Sequence, residues 1–170
     1  METIKRYESY PVGTVVLSNL VSFGIYGLGF LIIFRLGLAF SLLYLLFILA
    51  LEYRLLRYHC TNCYYWDKTC GFGKGKVSSL FFKKGDNSKF SEKDMTWRDM
   101  IPDILVSLIP MVIGIILLIS KFDLILLSAL IVLVLLTTTG NGFIRGTLTC
   151  NYCKQCELGC AAQKLFNQDK

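Results

Sequence analysis

The sequence predicts an all-α integral membrane protein: four transmembrane helices in two hairpins, with a cysteine-rich loop and tail on the cytosolic side. Three observations predict it. The 170-residue chain is 54% hydrophobic with a mean hydropathy of +0.55, which leaves too little polar surface to cover a water-soluble globule. The apolar residues fall in four runs nearly free of charge, Thr14–Phe34, Leu38–Tyr53, Ile104–Ser120 and Leu124–Thr139. Each comes close to the roughly twenty residues that a helix needs to cross the hydrocarbon core. The Lys and Arg residues collect in alternate connections, as they do in multi-pass proteins.

Met1–Pro11 is a short lead whose Tyr7 and Tyr10 suit the headgroup zone. Helix one, about Val12–Phe34, carries Gly24, Gly27 and Gly29, expected to let a neighbouring helix approach closely. Lys5 and Arg6 ahead of it would suit a signal peptide, but the run exceeds a usual h-region and no small-x-small site follows, so it counts as a helix. Arg35-Leu36-Gly37 is the only break before helix two, about Leu38–Arg57, which makes residues 1–57 a lead and a tight hairpin. Residues 58–99 form one large loop rich in Cys, Gly and Lys. Helix three, about Met100–Ser120, has Pro102 in its first turn and Pro110 in its middle. Pro110 should kink the helix and free a carbonyl for a neighbouring helix or a serine to satisfy. Helix four, about Asp123–Gly142, is expected to stop in the polar run Thr137–Gly142, with glycine as cap. Helices three and four make the second hairpin, residues 100–146, and residues 147–170 are a Cys-rich tail.

With four crossings the termini and the large loop share a side. That side holds Lys5, Arg6, nine Lys or Arg from Arg57 to Arg98 and four from Arg145 to Lys170, against Arg35 and Lys121 opposite. The bias places both termini and the cysteines in the cytosol, where thiols stay reduced and a dense cluster reads first as a metal site.

The cysteines come in two matching sets ninety positions apart: Cys60-x2-Cys63-x6-Cys70 and Cys150-x2-Cys153-x6-Cys160. Each follows a helix pair, so a duplicated two-helix unit is expected, related by an axis along the membrane normal. Two C-x2-C pairs converging from separate segments suit a tetrahedral ion held by thiolates. Cys60, Cys63, Cys150 and Cys153 are the first choice for a four-thiolate zinc site, with Cys70 and Cys160 as spare or substitute ligands. Cys150-x2-Cys153-x2-Cys156-x3-Cys160 also matches a ferredoxin-type run, with Ala161 in place of its proline, so an iron–sulfur cluster using Cys156 is the rival. His59, beside Cys60, is the one histidine, which excludes a haem held by two histidines of one chain.

Four helices with a C-x2-C pair resemble, in outline, membrane thiol oxidoreductases such as the disulfide-forming quinone reductases and relatives of vitamin K epoxide reductase. That resemblance implies thiol redox chemistry as a third reading, although those proteins exchange disulfides on the non-cytosolic side.

The segment after Cys70 is glycine-basic but lacks the G-x4-G-K-[ST] spacing of a nucleotide loop. Lys74, Lys76, Phe81, Phe82, Lys83 and Lys84, with Val77 and Leu80, instead make a basic aromatic stretch suited to anionic lipid headgroups. Glu52 is the carboxylate nearest a helix interior, with Arg54 or Arg145 expected to neutralise it. No catalytic triad or carboxylate pair stands out, so the expectation is a non-enzymatic protein whose partners are the bilayer, anionic headgroups and a protein docking at the cytosolic face, with no nucleic acid.

Overall fold

A computed structural model of the chain describes residues 6–92 and 97–160; Met1–Lys5 and the tail beyond Cys160 lie outside the described residues. Within them the protein is helical, and four helices are long and apolar enough to cross a membrane: Val12–Phe34, Leu38–Asn62, Arg98–Ser120 and Leu124–Tyr152. Their outer faces carry large apolar side chains such as Phe23, Leu43, Leu46 and Ile119, all more than 60% exposed. A soluble monomer rarely shows such continuous apolar surface, whereas a bilayer covers it.

The elements are α1 (Val12–Phe34), α2 (Leu38–Tyr58), α3 (Lys74–Phe81), α4 (Asn87–Glu92), α5 (Trp97–Ser120), α6 (Leu124–Leu135) and α7 (Asn141–Phe143). Helix α1 is central and packs on α2, α5 and α6. One buried cluster joins Ile25 and Ile32 of α1 to Leu126, Leu130 and Leu133 of α6. A second joins Ile33, Tyr44, Ile48 and Val106 across α1, α2 and α5. At one end of the bundle Arg35 and Asp123, from the two short turns, pair at 3.3 Å. Asp123 also caps α6 by accepting from the Ile125 N–H at 2.9 Å, as expected of a first-turn aspartate.

Helix α5 runs unbroken through both prolines. It begins at Trp97, so Pro102 lies beyond the first turn where it was expected. Pro110 removes the N–H that would bond the Val106 carbonyl, and Tyr44 Oη of α2 donates to that carbonyl instead, at 2.7 Å. Gly29 makes room for this bond, since a Cβ there would stand 2.3 Å from the Tyr44 oxygen. Gly24 is likewise pressed, on Leu136 at 3.1 Å. Gly27 is not: a Cβ there meets nothing within 4 Å, so its expected packing role is corrected.

The last span departs most from expectation. It does not stop at Thr137–Gly142 but continues through a π-helical stretch Leu136–Gly140, α7 and a second π stretch Ile144–Thr149. Gly140 has helical dihedrals, φ −62° and ψ −53°. The Thr137 and Thr138 hydroxyls donate to the Leu133 and Val134 carbonyls at 2.8 and 2.7 Å. Polar side chains satisfied within their own helix do not end it, and the wider π turns take up extra residues.

Candidate functional site

Spans two and four each run into a tight 3₁₀ turn at their C-x2-C pair, Cys60–Asn62 and Cys150–Tyr152. The two turns have nearly the same backbone. The residue before the first cysteine has φ −109°, ψ −52° at His59 and φ −112°, ψ −59° at Thr149. The second cysteine is extended in both, and its N–H donates to the carbonyl of the first: Cys63 to Cys60 at 3.3 Å and Cys153 to Cys150 at 3.2 Å. A single i→i+3 bond across two intervening residues is what the spacing selects.

The turns also interlock. Tyr64, just after Cys63, donates its backbone N–H to Gln155 Oε1 at 2.7 Å. Lys154, just after Cys153, donates its backbone N–H to Tyr65 Oη at 3.0 Å. Each position is ninety residues from its counterpart, so the two bonds are reciprocal. Tyr65 and Gln155 are both 2% exposed.

A third strand of contact is the N-terminal segment. Tyr7 N–H donates to the Tyr152 carbonyl at 3.0 Å and Tyr10 N–H to the Thr69 carbonyl at 2.9 Å. Tyr10 Oη donates to the Thr149 carbonyl, and Tyr65 Oη donates to the Tyr7 carbonyl at 2.6 Å. Arg6 donates to the Asn151 and Cys153 carbonyls and pairs with Glu157 at 3.3 Å. The rings of Tyr7, Tyr10, Tyr65 and Tyr152 pack at centroid distances of 5.2–5.6 Å. Tyr10 is therefore buried between the two cysteine sets. Burial raises its phenol and pushes that of Tyr65 up to about 12. None of Arg6, Tyr10, Tyr65 and Gln155 was marked as a site residue by spacing or charge. The one sequence signal was tyrosine density on both sides of the first helix pair.

Cys60 lies within electrostatic reach of Cys70 and Cys63, and Cys63 within that of Cys153, Cys70 and Cys160. Cys150 has Cys153 and Cys160 as neighbours. None of the seven cysteines is joined in a disulfide. Among the described residues no group of three or more His, Cys, Asp or Glu side chains stands in metal-ligating geometry. The thiols turn to hydrogen-bonding partners instead, Cys156 Sγ toward the Cys150 carbonyl at 3.7 Å and Thr149 Oγ1 toward Cys150 Sγ at 3.9 Å. Burial pushes the Cys63 thiol up to about 12. Cys153 goes the other way: its neighbour Cys156, then the Gln155 and Cys156 backbone N–H groups, hold its thiol down while Cys156 is raised.

The loop after Cys70 is ordered rather than open. Gly73, at φ +70°, turns the chain into α3, a conformation that side chains resist. Lys74 at the start of α3 pairs with Glu52 at 2.7 Å, and Tyr26 Oη donates to the same Glu52 oxygen at 2.7 Å. Lys74, not Arg54 or Arg145, neutralises Glu52, because α3 folds back beneath the helix end. Arg54 donates to the Asp99 carbonyl at 2.9 Å and Arg145 lies over the Phe72 ring. Of the lipid-facing residues expected here, Lys76, Phe81, Lys83 and Lys84 are exposed, with Leu80 and Val77. Lys74 is engaged with Glu52, and Phe82 is half-buried against Tyr53 and Arg57.

No protein-family model matches the chain, and no curated protein and no solved structure matches it.

Proposed function

We propose that this is a small polytopic membrane protein built from two helix hairpins, whose paired cysteine turns bind zinc through Cys60, Cys63, Cys150 and Cys153. The ion ties the hairpins together at one membrane face and presents that face to a protein partner. The observation that carries this is the reciprocal interlock: two C-x2-C turns of one backbone shape, joined by Tyr64 N–H to Gln155 and Lys154 N–H to Tyr65. Nearby cysteines from two chain segments are the raw material of a four-thiolate site, and ion binding there releases the thiol protons as the side chains swing inward. The charge bias makes that face cytosolic, and exposed Leu80 and Phe81 beside Lys76, Lys83 and Lys84 suit α3 to anionic headgroups.

Elemental analysis of the full chain, purified in detergent under reducing conditions, tests the reading. Colourless protein containing zinc is expected, with zinc retained in Cys156→Ser and lost in the Cys63→Ser/Cys153→Ser variant. Brown, iron-containing protein that loses colour in Cys156→Ser would establish the iron–sulfur alternative. A second reading, thiol exchange, is favoured by the short turn that joins Cys153 and Cys156, in which the Cys156 N–H donates to the Cys153 carbonyl at 3.2 Å; metal-free protein with a readily reduced Cys153–Cys156 disulfide would replace zinc by that chemistry.

A further inference from the structure

The end of the bundle remote from the cysteines is built from the two short turns, Arg35-Leu36-Gly37 and Lys121-Phe122-Asp123. Each lies between the end of one apolar span and the start of the next, which sets it at the depth of the lipid headgroups. The turns enclose a cavity of about 470 Å³, walled by Arg35 from the first and by Lys121 and Asp123 from the second, with Leu117, Leu124 and Leu126 completing it. That volume suits a small molecule or part of a larger one. Leu117 lies one turn inside α5, where its carbonyl accepts from the Lys121 N–H at 2.8 Å, and Leu126 is buried in α6. The cavity is thus charged toward the turns and apolar toward the helices.

Its charge is unbalanced. Arg35 is the only charged residue from 12 to 51, and Lys121 and Asp123 are the only ones from 104 to 144, so two cations face one carboxylate. That carboxylate is already engaged: Oδ1 accepts from the Ile125 N–H at 2.9 Å and Oδ2 pairs with Arg35 at 3.3 Å. Asp123 therefore fixes the guanidinium, whose five donors exceed what one carboxylate oxygen takes. Lys121 is exposed and has no carboxylate partner among the described residues. Arg and Lys converging beside an apolar wall fit a phosphate that carries hydrocarbon. Free phosphate would leave Leu117, Leu124 and Leu126 uncovered.

We infer that this cavity binds one anionic phospholipid, its phosphate held by Arg35 and Lys121 and its glycerol and first acyl carbons lying against Leu117, Leu124 and Leu126. Because Arg35 belongs to the first hairpin and Lys121 to the second, the lipid ties the hairpins together at this end. Binding is non-covalent and independent of what the cysteines hold.

The test uses the full chain carrying Lys76→Gln, Lys83→Gln and Lys84→Gln, which removes exposed lysines of the cysteine end. Purified in detergent, it is titrated with phosphatidylglycerol and, separately, with phosphatidylcholine, and bound lipid is counted by native mass spectrometry. One phosphatidylglycerol is expected to bind ahead of phosphatidylcholine and to stay bound in excess inorganic phosphate. Lys121→Gln should weaken it roughly tenfold, the weight of one charge-assisted contact, and Lys121→Arg should restore it. Displacement by inorganic phosphate means that the cavity takes a free anion and overturns the lipid. Equal binding of the two lipids, or binding indifferent to Lys121→Gln, overturns the site. Should Lys121→Gln fail to fold, thermal unfolding of the parent chain decides: phosphatidylglycerol should raise the midpoint more than phosphatidylcholine does, and equal shifts overturn the inference.

Discussion

Around Cys60 and Cys63 the turn is walled by its own loop: α3 lies against it, Ser78 Oγ donates to the Leu56 carbonyl at 3.1 Å, and Asn62 Oδ1 accepts from the Asp86 N–H at 3.0 Å. Around Cys150 and Cys153 no such helix is present among the described residues, and the wall is the extended segment Arg6–Tyr10, bridged in parallel to Cys153. Cys150 is exposed, whereas Cys60, Cys63 and Cys153 are half-buried. Two turns with one backbone shape can thus be held by unrelated surroundings. The shape comes from the C-x2-C turn, and the burial comes from whatever chain happens to cover it.

Changing the first wall should have the largest effect. A Cβ at Gly75 would stand 2.0 Å from the Tyr65 carbonyl oxygen and 2.6 Å from that of Lys68, so Gly75→Ala must push α3 off the first turn. Overpacking of this kind costs about 1–3 kcal/mol and sometimes more. Thermal unfolding in detergent should show a clear loss for Gly75→Ala, and wild-type stability in that variant would mean that α3 is not the wall. Gly71→Ala presses the Thr149 methyl at 2.5 Å and Cβ at 3.0 Å rather than backbone atoms and should cost less.

The interlock comes next. Tyr65→Phe strips the partner from the Lys154 N–H, and Gln155→Leu strips it from the Tyr64 N–H. Each should cost roughly 1–3 kcal/mol, the usual penalty for a buried polar group left unpaired. Combined, they should cost measurably less than their sum, because both act on one interface. Strict additivity in the same unfolding assay would show that the two bonds are independent and that the turns are not coupled.

The smallest effect belongs to the second wall. The hydrogen bond and charge of Lys154 hold the Glu8 carboxyl below its ordinary 4.5. A carboxylate depressed on folding contributes stability that is fully present above its unfolded value and is lost as pH falls through the folded one. Wild type should therefore lose this contribution only below about pH 4.5. Glu8→Gln should remove that part of the acid limb and leave stability at pH 7 nearly unchanged, since exposed pairs contribute little. A large loss at pH 7 would show that Glu8 has a structural partner besides Lys154.

Much of the fold was legible because it is written in local composition. Four apolar runs predicted four long helices, and the prediction that Pro110 frees a carbonyl for a neighbour is met by Tyr44. The end of the last span was misread because threonine and glycine are stop signals in water, whereas in this helix the Thr137 and Thr138 hydroxyls bond their own preceding turn. Glu52 was picked out correctly, but its partner was not: Lys74 lies twenty-two positions away and reaches it only because Gly73 reverses the chain.

The sequence by itself determined the number of the apolar helices and the paired C-x2-C-x6-C spacing, since hydropathy and short-range turn geometry act within a few residues. Only the tertiary structure decided that Tyr64 meets Gln155, that Lys154 meets Tyr65, and that Tyr7 and Tyr10 thread between the two turns. Those contacts join residues dozens to more than a hundred positions apart. Each depends on how whole helices pack, and no local pattern encodes which distant partner will satisfy a given N–H.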